Sequence, residues 1–336
     1  MSHLPLLVSF PDDTSTDFLA ANLSWAEKAI AVATELRHRG LPPLVDRATL
    51  PFLFGVSPKL ISAMGKLPQR YYRVFSRPKK GGGERQIEAP RRFLKVIQWW
   101  INDHILSRHA MPEYVIGFAK GKSIFDNGKA HALGKNLMVV DIKDFFPTVL
   151  QGRVEGIFSD MGFGEEVGRQ LASLCCLSGR LPQGAPTSPG IANLAFLTAD
   201  KELDELAGRW NCQYTRYVDD LAFSGDLVFT TEHLGQVCGV LEQHGFAPNY
   251  SKSRIVGSGS RQVLTGLVVN SKAHPARWKR RLWRAMFHRA WKHPHEFSDR
   301  TGSLSGIAAF VNQYDIGLAE RYHSVVERIA QLQLNA

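Results

Sequence analysis

Cysteine is scarce in this chain, and the little there is forms no pattern. Cys175, Cys176, Cys212 and Cys238 are the only four in 336 residues, and no two stand in Cys-x-x-Cys spacing. A disulfide framework and a thiolate zinc site are therefore excluded as organising features, and reduced thiols in the cytoplasm are the expectation. Long apolar runs are missing too. No uninterrupted stretch reaches the length that crosses a bilayer, so no membrane partner is expected. Residues 1–20 carry Asp12, Asp13 and Asp17 where a secretory leader is basic. Acidic residues vanish over one long segment: from Lys272 to Lys292 there are eight lysines and arginines and no Asp or Glu.

What is present is a globular composition, 44% apolar, in a chain long enough for a sizeable core and more than one lobe. The net charge of +10 favours a polyanionic partner. Its placement says more than its size. Ten lysines and arginines between Lys66 and Lys95 meet only Glu84 and Glu88, and the Lys272–Lys292 segment is the second basic block. The excess thus sits at two ends of a central region, as if flanking a nucleic-acid path.

That central region holds the chemistry. Gln213 to Tyr217 alternates polar and apolar and reads as a strand, and Leu221 to Ser224 reads as a second, stopped by Gly225. Asp219 and Asp220 then lie side by side at the tip of a tight hairpin. Adjacent like charges are costly unless a cation neutralises them. A lone Asp-Asp pair is usually a solvated turn, but a second carboxylate competes with that reading. Met138-Val139-Val140-Asp141-Ile142 is a short apolar run that delivers an acid to a sheet edge. Hard oxygen ligands on neighbouring strands suit Mg²⁺. Two such ions about 4 Å apart activate a hydroxyl and stabilise a departing pyrophosphate.

Three segments now carry a resemblance. Asp141-Ile142-Lys143-Asp144-Phe145-Phe146, Leu181-Pro182-Gln183-Gly184-Ala185-Pro186-Thr187-Ser188-Pro189 and Tyr217-Val218-Asp219-Asp220 resemble three successive reverse-transcriptase motifs, in order. The resemblance runs over residues 50 to 330 and is closest to bacterial retron reverse transcriptases. Ser123-Ile124, Asn127 and His131 are similar to the Asn-Ala-x-x-His signature of that family, which has Ala where Gly128 stands here. Leu264-Thr265-Gly266 stands where retrons carry Val-Thr-Gly.

The resemblance implies an α+β right-hand polymerase: an N-terminal helical extension over 1–44, fingers and palm over 45–271, and a helical, RNA-binding thumb over 272–336. The palm is expected to be an antiparallel sheet backed by helices. Asp141, Asp219 and Asp220 are implied to hold two Mg²⁺ and catalyse RNA-directed DNA synthesis from deoxynucleoside triphosphates. Around the incoming nucleotide the resemblance places Lys79 and Arg85 from a Gly-rich basic hairpin, Phe146 as a steric gate against the 2′-hydroxyl, Gln183, and Lys252 as general acid for pyrophosphate. Thr265 and Gly266 correspond to the primer grip. Asn127, His131, Arg277, Arg281 and Arg284 are assigned to RNA, with the tryptophans of the Pro275–Lys292 helix assigned to the core.

A retron enzyme further implies three partners. They are a cognate structured non-coding RNA used as template, with a guanosine 2′-hydroxyl in it as primer; the branched RNA-linked DNA product; and a separate effector protein in anti-phage defence. Two alternatives stay open, an abortive-infection-type reverse transcriptase that adds nucleotides without a template and a catalytically idle RNA-binding scaffold. His288, His293 and His295 have no acidic or thiol companions, and no metal is expected there.

From local pattern, Thr16–Arg39 is expected to form a single helix and Gln151–Leu177 a helical stretch.

Overall fold

The computed structural model describes residues 16–78 and 82–334. In chain order its strands are β1 Tyr72–Pro78, β2 Glu84–Pro90, β3 Asn136–Lys143, β4 Gln213–Tyr217, β5 Asp220–Gly225, β6 Ala247–Pro248, β7 Arg254–Gly257, β8 Val263–Leu264, β9 Leu267–Val268 and β10 His274–Pro275. Every pairing between them is antiparallel, and helices supply the rest of the regular structure. The fold is α+β. The chain divides into two compact units, neither contiguous in sequence. The first comprises the chain up to Glu113, Ile142–Glu202 and Cys238–Pro248; the second comprises Tyr114–Asp141, Leu203–Val237 and the chain from Asn249 on. These units do not follow a linear division at residues 44 and 271.

The first unit begins with two helices, Thr16–Leu23 and Glu27–His38, where one was expected. Ser24 takes a left-handed backbone (φ 54°), which ends the first helix. Trp25 then turns inward, and its indole N–H donates to Asp46 at 3.0 Å. A second expected helix is also split, into Gln151–Asp160 and Glu165–Cys175, by Gly162 at φ 104°. The hairpin β1–β2 is fully registered from Tyr72↔Pro90 to Pro78↔Glu84. Helix Arg92–His104 follows it and buries Leu94, Ile97, Trp100 and Ile101 on one stripe.

In the second unit the sheet runs β4-β5-β3-β7. Leu137 to Ile142 of β3 are all buried, so the unbroken apolar run belongs to a strand covered on both faces. The last helices, Arg277–Lys292, Thr301–Asn312 and Ile316–Leu334, share a core of their own. Phe287 stacks flat on Tyr322 with ring centroids 3.6 Å apart. That core continues into the rest of the unit through Phe125, whose ring lies 5.0 Å from Phe310 and 5.6 Å from Tyr314. Burial of such a ring contributes about 2–3 kcal/mol.

Candidate active site

The hairpin β4–β5 is closed by a two-residue turn. Tyr217 pairs with Asp220, leaving Val218 and Asp219 at the tip. Val218 has φ 63°, a left-handed backbone at the first turn position, where glycine is the usual choice. A β-branched residue there is a true outlier, of the kind that costs about 1–3 kcal/mol and gathers at functional sites. Asp141 is brought to the same end of the sheet by register, since it faces Asp220 across β3 and β5.

The electrostatics of this corner are those of crowded carboxylates. Burial first, and then the charges of Asp219 and Asp141, push the Asp220 carboxyl up to about 6. Asp141 is buried, and its oxygens are fully engaged. Lys252 donates to Oδ1 at 3.1 Å and Oδ2 at 2.9 Å, and Asn249 donates to Oδ1 at 2.8 Å. The Asn249 backbone N–H also donates to the Asp141 carbonyl at 2.7 Å. The hydrogen bond to Asp141 raises the Lys252 ammonium above its ordinary value, so Lys252 stays charged. Among the described residues no three His, Cys, Asp or Glu side chains are closed around a point for an ion, and Asp141 is turned to Lys252. The donor set nonetheless fits hard divalent cations: three carboxylates at one sheet end, one of them pushed up first by burial and then by the charges of the other two, with the Lys252 ammonium beside them.

Comparison with known proteins shows the family. The family model described as reverse transcriptase (RNA-dependent DNA polymerase) matches residues 77–278. Retron Mx162 reverse transcriptase of Myxococcus xanthus is 32% identical, over 90% of this chain and 72% of its own length. Retron Ec86 reverse transcriptase of Escherichia coli is 31% identical, over 82% of this chain and 86% of its own. The chain belongs to the retron-type reverse transcriptases. The reaction of that family is RNA-directed DNA polymerisation. Retron Mx65 reverse transcriptase of Myxococcus xanthus is 34% identical over 75% of this chain, which spans 63% of that enzyme's length. Among solved structures, a telomerase from Candida albicans with a fragment of telomeric RNA matches at TM-score 0.41 and 11% identity, over 60% of this chain and 45% of that one.

The remaining reverse-transcriptase positions fall in both units. In the first, Asp144 turns left-handed (φ 47°) and leads into the short helix Phe145–Thr148. Phe146 is half-buried, and its ring lies 5.6 Å from that of Phe145. Phe145 is core, packed on Phe196 and Phe246 at 5.7 and 5.8 Å. Gln183 is half-buried, and its loop docks along β2: its carbonyl accepts from the Glu88 N–H at 2.8 Å. Glu88 is in turn held by both Nη atoms of Arg180 at 2.8 and 2.9 Å. Arg85 is exposed on β2. Register puts it on one face of the hairpin with Arg73, Phe75 and Arg77, a basic and aromatic surface that the sequence pattern did not reveal. Lys79 lies outside the described residues.

In the second unit Thr265 (φ 47°) and Gly266 (φ 84°) form the two-residue turn between β8 and β9. Arg277, Arg281 and Arg284 are exposed along helix Arg277–Lys292. Of its tryptophans only Trp283 is core. Trp278 is 64% exposed and Trp291 52% exposed, which corrects their assignment to the interior. The apolar stripe of this helix is filled by Trp283, Phe287 and Ala290, and Trp278 and Trp291 fall off it.

Asn127 and His131 require the larger correction. Both are sealed inside the second unit, at 0% and 1% exposure, and neither can touch RNA from there. His131 Nδ1 lies 2.7 Å from Ser224 Oγ on β5, and Nε2 lies 2.7 Å from Thr215 Oγ1 on β4. Thr215 donates its hydroxyl to the Asn127 carbonyl. With that proton committed, Thr215 accepts from Nε2–H, and Nδ1 accepts from Ser224. Burial lowers the His131 pKa to about 3, so the ring stays neutral. The glycine between them also has a reason. A Cβ at Gly128 would lie 2.8 Å from the Ala273 Cβ, so this chain has no room for the family's alanine.

Proposed function

We propose that this chain copies a cognate structured non-coding RNA into single-stranded DNA, starting from a guanosine 2′-hydroxyl in that RNA. The observation that carries this reading is the corner formed by Asp141, Asp219, Asp220 and Lys252. Asp141, Asp219 and Asp220 would hold two Mg²⁺, which when bound favour ionisation of the attacking hydroxyl and neutralise the pyrophosphate. Asn249 fixes the orientation of Asp141. Lys252, charged and on the rim of the same corner, is the group to give a proton to the departing pyrophosphate. Phe146, stiffened by Phe145 behind it, discriminates against the ribose 2′-hydroxyl. Gln183 and Arg85 are assigned to the incoming nucleotide by the family resemblance. Arg277, Arg281 and Arg284 take RNA phosphates, and exposed Trp278 offers a ring for an unpaired base. A separate effector protein, anti-phage defence and the cytoplasm complete the reading, as the resemblance to retrons implies.

The test co-expresses the chain with the non-coding RNA from its own locus and isolates nucleic acid. Expected is DNA joined to RNA and released by a debranching enzyme. Asp219→Asn with Asp220→Asn yields no DNA while RNA binding survives. Extension by that double variant near the wild-type rate removes the metal assignment. Wild-type synthesis without any RNA turns the reading to untemplated addition.

A further inference from the structure

Reverse-transcriptase chemistry depends on where the Asp219–Asp220 turn sits, and the segment before β3 is wrapped around the hairpin that carries it. Two independent attachments are visible. The first is at the tip. Tyr114 to Gly117 runs along the free edge of β4, with Val115 bridged in parallel to Arg216. The Arg216 N–H donates to the Tyr114 carbonyl at 2.8 Å, and the Arg216 carbonyl accepts from Ile116 at 2.9 Å and Gly117 at 3.3 Å. Gly117 then lies flush beneath the strained turn. A Cβ there would run into the Val218 nitrogen and lie 2.9 Å from Val218 Cγ2 and 3.0 Å from the Tyr217 carbonyl carbon. Real Cβ atoms do not approach backbone that closely, and backbone cannot swing aside as a side-chain end can. Arg216, wholly buried, also holds the turn by donating to the Val218 carbonyl at 3.3 Å.

The second attachment is at the base of the same hairpin. Thr215 stands opposite Ala222, two residues from Ser224, so Thr215 and Ser224 are diagonal neighbours on one face of β4 and β5. His131 bridges them with one ring nitrogen each, and Asn127 holds Thr215. The helix bearing both residues, Ile124–His131, is itself fixed at its start by a capping box between Ser123 and Asp126. The contacting residues Val115, Ile116, Gly117 and Arg216 at the tip, and Asn127, His131, Thr215 and Ser224 at the base, are all buried.

We propose that the segment Tyr114–His131 is the rigid support of the catalytic turn, with Gly117 and His131 as its positioning residues. Gly117 sets the height of the Val218–Asp219 tip, and His131 locks the twist of the two strands below it. The proposal rests on Asp219 and Asp220 being the working carboxylates.

The test compares Gly117→Ala, His131→Leu and His131→Gln in the full chain, with Leu19→Ala as a variant that loses core packing far along the chain. Two readouts are used. One is the Mg²⁺ dependence of primer extension with kcat and deoxynucleotide KM separated. The other is amide hydrogen exchange of residues 213–225 against helix Arg277–Lys292, which needs no activity. For Gly117→Ala a fall in kcat of about 10²-fold is expected, the scale of a 1 Å misplacement, with KM changed little and more Mg²⁺ needed for half-maximal rate. Exchange in 213–225 rises while that of Arg277–Lys292 stays put. His131→Leu behaves likewise, and His131→Gln, which keeps a polar bridge, recovers part of both readouts. Unchanged exchange and Mg²⁺ requirement in Gly117→Ala overturn the proposal. So does a loss matched in kind by Leu19→Ala, since that is mere destabilisation. If wild-type chain makes no DNA yet Gly117→Ala loosens 213–225 selectively, the support stands and the polymerase reading falls.

Discussion

Lys252 donates to both carboxylate oxygens of Asp141, at 3.1 and 2.9 Å, across a gap of 111 residues in sequence. One ammonium thereby satisfies a buried acid and keeps itself charged. On the proposed reading of Lys252 as general acid, Lys252→Gln removes the proton donor, and it leaves Asp141 with Asn249. The single-turnover rate is expected to fall by about 10²-fold, within the range of general acid catalysis, while deoxynucleotide affinity changes little. Rapid-quench extension measures both. A rate within twofold of wild type would show that Lys252 serves Asp141 only.

The raised Asp220 carboxyl has a consequence for stability. In the unfolded chain it titrates near 3.9, and in the folded protein at about 6, so between these values the folded state holds a proton that the unfolded state has lost. Stability therefore falls as pH rises from about 4 to about 6, and the penalty persists above that. Asp220→Asn removes it. In chelator the variant is expected to melt about 2–5 °C above wild type at pH 7.5, with the gain fading toward pH 4. Thermal melts at the two pH values decide it; a gain independent of pH would assign the effect to packing.

On the proposed reading of Phe146 as the steric gate, Phe146→Ala opens the space beside the sugar. Ribonucleotide incorporation relative to deoxynucleotide is expected to rise by about tenfold or more, the usual worth of one steric contact. Single-nucleotide extension gives the ratio. An unchanged ratio would leave Phe146 as part of the aromatic packing around Phe145, Phe196 and Phe246.

Replacing Arg281 and Arg284 by Ala should weaken binding of the cognate RNA and flatten its dependence on salt by about one to two in slope, one for each lost phosphate contact. Adding Trp278→Ala should weaken it further without altering the slope, since stacking releases no counter-ions. Extension of a simple annealed primer-template should drop much less. Equal loss in both assays would mean the helix grips any duplex.

Local rules left strong marks in the sequence. The strands around Tyr217–Asp220 and the buried run ending in Asp141 were legible because period, turn residues and charge are properties of neighbouring residues, while the helical character of the C-terminal segment came from the family resemblance. Asn127 and His131 were misplaced for the opposite reason. Polar residues four apart on a helix look available to a ligand, and only packing revealed that their partners, Thr215 and Ser224, lie 84 to 93 residues away.

The sequence by itself determined the chemistry: which carboxylates exist, that they stand at strand ends, and that basic blocks flank them. Tertiary structure alone decided what surrounds each group. It brought Lys252 to Asp141, raised Asp220 by burying it and setting two other acids beside it, pressed Gly117 against Val218, and left Trp278 outside while Trp283 went in. These outcomes depend on distances between residues far apart in the chain, and burial and Coulomb energy are set by such distances, which no local pattern encodes.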